Sequence, residues 1–303
     1  MALLFQIDRK ACPAEVSLMP KYQALAVVTS YWRPGEDFLN AIVKAIAKRV
    51  EDGDFVVVSE KALSTASGNI VDENRVQPGL TARFLARWWM RVCWGHVFSA
   101  ALGFGPRLTR NLREYPLGGG SRHKQVALER AGLLQALMFG SEGGIDGSNL
   151  PYAYVSLPLR NAKEIAERVR EEIGAKLDKH VTVVVVDTDK TYTFRNFHFT
   201  PRPKPMRGID GDGGVVAYII GRLLRLRKRP TPLAVAGVEL AAEEALRIAN
   251  VADKARGTGT GTTVWKMAKH FHVTLTGVTW GMLSSVRHKP IVIVRKANPP
   301  GKP

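Results

Sequence analysis

Cysteine is nearly absent from this 303-residue chain. Cys12 and Cys93 stand far apart, with no histidine or further cysteine at ligand spacing, so neither a disulfide framework nor a zinc site is expected. Acid is scarce as well: 27 Asp and Glu face 44 Lys and Arg, a formal net charge of +17. That balance favours anionic partners such as nucleotides, acidic metabolites, nucleic acid or a membrane surface, without choosing among them. Long apolar runs are missing too. The most membrane-like stretch, WWMRVCWGHVFSAALGFG from Trp88, is interrupted by Arg91 and His96 and falls short of about 20 uninterrupted apolar residues, so it reads as a buried or partner-facing helix. At the N-terminus MALLFQIDRKA has too short an apolar run for a signal peptide and meets acid at Asp8, so a reducing cytoplasm is the expected location. No repeat of solenoid period is visible.

What is present suffices for a substantial core: 45% of residues are apolar and 23% charged, as in an ordinary globular protein of one large domain or two interlocked ones. In DFLNAIVKAIAKRV, Phe38, Ile42, Val43, Ile46 and Val50 recur at helical spacing. The following EDGDFVVVSEKAL reads as a turn and a buried strand that delivers Ser59, Glu60 and Lys61 at its exit. Helices are expected over 79–101 and 124–139, with YPLGGGSR as the loop between them, and over 161–175 with Asn161 as cap. VTVVVVDTD is the clearest strand; FTPRPKPMRGIDGDGG reads as loop and VVAYIIGRLLRLRKR as a helix with a basic end. PLAVAGVELAAEEALRIANVADKA suggests a long Ala-rich helix, and KPIVIVRK a last strand.

Two acidic stretches carry the chemistry. In SEGGIDGSN, Gly143 and Gly144 permit backbone conformations that a β-carbon would forbid, which suits a tight turn or a loop wrapped around an anion. In VVVVDTD, Asp187 and Thr188 leave a buried strand. Asp146 and Asp187 with the Thr188 hydroxyl form a plausible donor set for magnesium or manganese, which takes one or two carboxylates and completes its shell with water and phosphate. An Asp after a strand is also a common turn or helix cap, so both readings stay open from spacing alone.

The order of motifs resembles the coenzyme F-420-0:γ-glutamyl ligase family. The blocks are RPGEDFLNAI (33–42), DGDFVVVSEKALSTASGNIV (52–71), GGIDGSN (143–149), VVVVDTD (183–189) and PLAVAGVELAAEEALRIA (232–249), of which GIDGSN is the most specific. The resemblance implies an α+β fold of mixed, largely antiparallel sheets with flanking helices, in a single unit of two intertwined lobes, and a homodimer. It implies GTP as substrate, Mg²⁺ or Mn²⁺, and addition of L-glutamate through a γ-glutamyl linkage to coenzyme F-420-0 or a related carboxylate by way of an acyl phosphate. Asp146, Asp187 and Thr188 then become metal ligands, Asn149 a nucleotide contact, Glu60 and Lys61 further contacts at the strand exit, and Ser30, Tyr31, Trp32 and Arg33 the other side of the pocket.

The chain also departs from the family pattern. Thr65 stands where the family usually has a lysine four positions after the strand-exit lysine. Bulky Tyr31 and Trp32 replace a G-x-P segment, SRHKQVALERAG occupies the region of an RHG segment, and GTGTGTTVWKMAKHFHVTLTGVTWGML is a C-terminal insertion near 257–283. His123, Lys124 and Arg130 read either as an anion-gripping loop or as a solvated face. GTGTGTT reads as a flexible loop or lid, because it lacks the G-K-[ST] ending of a phosphate loop. His270 and His272 would share a face of a strand, yet surface histidines are the default. RLLRLRKRP reads as a solvated basic helix end. A second function class follows from the missing lysine and the basic balance: a non-catalytic nucleotide- or RNA-binding relative that keeps the fold.

Overall fold

The computed structural model describes residues 22–140, 142–257 and 263–297. The N-terminal apolar segment, Cys12 and most of GTGTGTT lie outside the described residues. The chain begins with β1 (Tyr22–Thr29), α1 (Phe38–Ile46), β2 (Phe55–Ser59), α2 (Glu60–Ala66) and β3 (Ile70–Asp72). A helical stretch follows: α3 (Leu80–Phe84), a π-helical segment Leu85–Phe98, α4 (Ser99–Ala101), α5 (Pro106–Arg113), α6 (Leu117–Arg130) and α7 (Leu133–Ala136). Then come β4 (Tyr154–Ser156), α8 (Ala162–Leu177), β5 (Thr182–Phe194), β6 (Phe197–Phe199) and α9 (Gly214–Leu223). The chain closes through β7 (Arg227–Ala236), α10 (Ala242–Arg256), α11 (Val264–Phe271), α12 (Trp280–Ser284) and β8 (His288–Lys296).

The main sheet is mixed and mostly antiparallel. β8 lies between β1 and β2, antiparallel to both, and β2 pairs parallel with β5, Phe55 opposite Thr182 and Ser59 opposite Val186. β7 runs antiparallel along β5, and β6 takes the far end of β5. Strand side chains alternate between faces, so Val56, Val58, Val183, Val185, Ile291 and Ile293 meet α1 and α8 on one side. Phe55, Val57, Val184, Val186, Val292 and Val294 meet α10 on the other. Burial on both faces explains why these strands read as continuous valine and isoleucine runs. β3 and β4 form a separate two-stranded ribbon.

Several expected elements take a different form. The Ala-rich helix begins only at Ala242; Arg227–Ala236, expected as the end of one helix and the start of the next, is β7. Its prolines Pro230 and Pro232 are tolerated because β7 pairs with β5 alone and lies opposite an irregular part of it. LGGGSR belongs to α6, with Gly120 packed where a β-carbon would come within 2.2 Å of the Tyr115 ring. The expected helix over 124–139 is instead the end of α6 and the short α7. KHFHV is no strand: His270 lies in the last turn of α11 and His272 caps it in the left-handed region.

The tryptophan-rich stretch is a helix with widened turns. Its buried residues Leu85, Met90 and Gly95 recur every five positions, with Ala86 and Trp94 beside them, which suits the i→i+5 bonding of a π-helix. Trp89 and Trp94 both donate their indole N–H to the Leu137 carbonyl, at 2.6 and 2.7 Å. Trp94 is fully buried, whereas Phe84, Trp88, Val92 and Val97 form an exposed apolar stripe. Among the described residues no helix is long and apolar enough to cross a membrane.

Candidate active site

β2 and β5 are parallel neighbours, and ligand sites in such sheets open beyond the carboxyl ends of the strands. β2 ends at Ser59 and passes directly into α2, which places Lys61 at the mouth. β5 does not end at Asp187, as the sequence suggested; it runs on to Phe194, with its pairing to β7 interrupted between Asp187 and Lys190. That irregularity turns Asp187 and Thr188 into a cleft of about 500 Å³.

Tyr31, Trp32, Lys61, Asp146, Asn149, Asp187 and Thr188 all line this cleft. Ser30, Arg33 and Glu60 do not. Arg33 reaches Ser284 Oγ at 3.0 Å on the exposed side, and the Ser30 carbonyl lies 3.0 Å from His288 Nδ1. Glu60 is buried at 2% exposure, accepting the Leu159 N–H at 2.7 Å and a bond from Arg202. Sequence reasoning missed the rest of the charged lining: Lys190, Asp253, Lys254, Arg256, Arg287 and Lys289. Six cationic side chains thus face three carboxylates. Lys254 and Arg256 arrive from the end of α10, and Arg287 and Lys289 from the entry to β8, too far apart in sequence to announce one cluster.

Each candidate metal carboxylate has a cationic neighbour. Asp146 Oδ2 pairs with Lys61 Nζ and accepts Ser148 Oγ at 3.0 Å, while Oδ1 accepts the Ser148 N–H at 2.6 Å. The acid therefore closes its own turn, which is the plainer reading of this residue. Asp187 Oδ2 pairs with Arg202, whose other terminal nitrogen holds Glu60. Burial pushes the Glu60 carboxyl up to about 7, against the pull of Arg202. Arg202 comes from the FTPRPKP loop and is fully buried against Gly144, whose positive φ of +97° and bare α-carbon admit the guanidinium. Gly144 is thus bare for an arginine rather than for a ligand.

The aromatic side of the cleft is fixed by local contacts. Tyr31 donates its hydroxyl to the Asn149 carbonyl, and its ring lies 4.5 Å from the His288 ring. Asn149 itself sits at φ 56°, a conformation asparagine tolerates, and its N–H points to Met267 Sδ at 3.1 Å. Desolvation pushes the Tyr31 phenol up, with Asp146 adding to the effect. Desolvation also holds the His288 imidazole down at about 4, with Arg256 adding to it and the Ser30 carbonyl opposing it. Neither group changes charge near neutrality.

A divalent cation fits this donor set on its chemistry. Among the described residues no group of three or more His, Cys, Asp and Glu is arranged to hold a metal ion, so protein ligands in this cleft would be at most Asp146 and Asp187, with the Thr188 hydroxyl. That is the sparse oxygen set suited to magnesium or manganese whose remaining positions are taken by water and phosphate. Asp187 uses only Oδ2 for Arg202, whereas Lys61, paired with Asp146, also reaches the Ser148 carbonyl at 3.1 Å and its hydroxyl at 2.8 Å.

His123 and Lys124 correct the sequence reading of a surface cationic loop. His123 is clamped between Glu73 (2.5 Å) and Glu142 (2.8 Å), and fully buried Lys124 holds Glu142 at 2.7 Å and the Met138 carbonyl. The basic run RLLRLRKRP is a solvated helix end only in its first part: Arg222 lies in the last turn of α9 and Arg225, Arg227 and Lys228 are exposed, but the run continues into β7, where Arg229 is buried against Glu243 and Thr193.

The sequence profile of the F420-0:gamma-glutamyl ligase family matches residues 26–199. The chain belongs to this ligase family. Among its relatives an uncharacterized protein of Methanocaldococcus jannaschii is 36% identical over 290 residues, covering 90% of this chain and 96% of that protein. The coenzyme F420:L-glutamate ligase of the same organism is 23% identical over 142 residues, 46% of this chain and 49% of the enzyme. That of Methanopyrus kandleri is 27% identical over 162 residues, 52% and 55% of the two chains. The γ-glutamyl ligase profile spans β2, the Asp146 loop and β5, and ends before Arg202 and the basic residues of α10 and β8.

Proposed function

We propose that this chain is an amide-forming ligase that uses a nucleoside triphosphate and a divalent metal in the cleft beyond β2 and β5. One observation carries the reading: Asp146, Asp187 and Thr188 line a single cleft whose cations outnumber its carboxylates two to one. Such a cleft favours a polyphosphate. Family membership supports L-glutamate as the amine and coenzyme F420-0 or a related carboxylate as acceptor, and GTP is the triphosphate proposed to go with them. Magnesium or manganese, when bound, neutralises phosphate charge and orients the transferred group.

The chain's own residues position the reactants. Lys61 exchanges its ion pair with Asp146 for a phosphate oxygen, and Lys190, Arg256 and Lys289 offset the remaining phosphate charge. An acceptor carboxylate oxygen bonds to the terminal phosphorus as the nucleoside diphosphate departs with the electrons of the broken P–O bond. The glutamate nitrogen then bonds to the acyl carbon, phosphate leaves with the C–O electrons, and the amine proton passes to solvent.

The test is calorimetric titration of GTP, then ATP, with and without manganese, followed by glutamate-dependent phosphate release. GTP binding is expected to need manganese and to weaken about a hundredfold in Asp187→Asn. Equal binding by the variant would remove the site assignment. A homodimer accompanies this reading, the exposed stripe of Phe84, Trp88, Val92 and Val97 offering apolar area for it; a monomer at micromolar concentration in sedimentation would refute that part.

A second reading, a nucleotide- or RNA-binding protein without the reaction, is favoured by one feature. Both candidate metal carboxylates are already paired with cations, and Thr65, in place of the family lysine, turns its hydroxyl to the Lys61 carbonyl at 2.8 Å. RNA binding that weakens steeply with salt and ignores Asp146→Asn would support it.

A further inference from the structure

A cavity of about 440 Å³ opens where α6 ends and α8 begins, and it shares no lining residue with the cleft. Three arginines from different parts of the chain meet in it. Arg130 closes α6, Arg160 comes just ahead of α8, and Arg168 lies in the second turn of that helix. No acid lines the cavity. Among the described residues none of the three guanidiniums has a hydrogen bond or an ion pair, whereas Arg202, Arg229 and Arg295 each hold a carboxylate. Local acceptors are already engaged. The Leu157 carbonyl receives Ser64 Oγ at 2.6 Å and Asn69 Nδ2 at 3.1 Å, and the Pro158 carbonyl receives Asn69 Nδ2 at 3.3 Å. Of the acids nearest in sequence, Glu129 holds Gln125 at 2.7 Å, Glu167 holds Lys163 at 3.2 Å, and Glu164 is outside the lining.

Three unpaired like charges around one space repel one another, and an anion between them removes that repulsion. A guanidinium presents its donors in a planar fork that matches phosphate oxygens, and three of them favour two negative charges over one. Phe38, Leu157, Leu159 and Ile165 give the same cavity an apolar wall, which a bare ion would leave uncovered. We propose that this cavity binds a phosphate monoester, its dianionic phosphate between Arg130, Arg160 and Arg168 and its organic body on the apolar wall. The site stands apart from the cleft, so the proposal holds whether or not the cleft turns over a nucleotide.

The test is calorimetry at pH about 8, where a phosphate monoester is a dianion, with phenyl phosphate, phenyl sulfate and inorganic phosphate as probes. The three separate charge from apolar body. Two double variants assign the heat: Arg160→Gln with Arg168→Gln in the cavity, and Arg287→Gln with Lys289→Gln in the cleft. Phenyl phosphate is expected to show one binding component per chain that the cleft variant keeps and the cavity variant weakens about tenfold or more. In that component phenyl sulfate and inorganic phosphate should each bind about tenfold more weakly. Arg160 and Arg168 are exposed, so the cavity variant should fold, which circular dichroism checks. The proposal is overturned if no component survives in the cleft variant at millimolar phenyl phosphate, if the folded cavity variant binds it like the parent, or if phenyl sulfate binds equally well. Inorganic phosphate binding as tightly as phenyl phosphate would overturn the assignment of an organic body.

Discussion

A β-carbon on Gly144 would lie 1.8 Å from Arg202 Nη1, at a backbone φ of +97° that side chains rarely adopt. Gly144→Ala is therefore expected to destabilise the fold by about 1–3 kcal/mol, read as a lower urea midpoint with unchanged slope. Gly68→Ala also places alanine at positive φ but in open space, so it should cost less and serves as the control. Asp146 and Asp187 were legible in sequence because each sits in a short distinctive motif. Arg202 was not, since its partners Glu60 and Asp187 lie 142 and 15 residues away and nothing in FTPRPKP marks one arginine as buried.

At the scale of elements, α6 is tied to the Asp146 loop by the ionic cluster of Glu73, His123, Lys124 and Glu142. Burial alone would raise the Glu142 carboxyl, but Lys124 and His123 outweigh it and hold it at about 2. Burial would lower the His123 imidazole, yet Glu142 and Glu73 outweigh it and raise it well above its ordinary 6.5. The Glu142 contribution is present above its ordinary 4.5 and fades as pH falls toward 2. The His123 contribution is complete below 6.5 and fades as pH rises through its elevated value. Thermal melts should place the cluster's largest contribution between about 4.5 and 6.5, and Glu142→Gln should flatten that profile. An unchanged profile in the variant would show that the cluster does not govern it. The same cluster explains a limit of sequence reading: glycines suggested a loop and paired basic residues a surface, while the acids that bury them come from β3's exit and from the segment before Gly143. α1, β2, β5, α8 and β8 were readable because the sheet buries them in regular patterns. β7 was hidden by its prolines and arginines.

Across the whole molecule the excess of 44 basic over 27 acidic residues is partly gathered at one opening, where Lys190, Lys254, Arg256, Arg287 and Lys289 surround the cleft. Nucleotide association should therefore be steered, its rate falling about tenfold or more from low to physiological ionic strength. Stopped-flow measurement on Arg287→Gln should show a shallower dependence; an identical slope would place the steering elsewhere. The rigid triad of Glu60, Arg202 and Asp187 has a mechanical corollary. Because Arg202 clasps the first residue of α2 to β5, the backbone of Lys61 is anchored to the strand that carries Asp187. A ligand drawing Lys61 away from Asp146 would also have to break its bonds to the Ser148 carbonyl (3.1 Å) and hydroxyl (2.8 Å), so the expected response is that one side chain turning on a backbone held to the sheet.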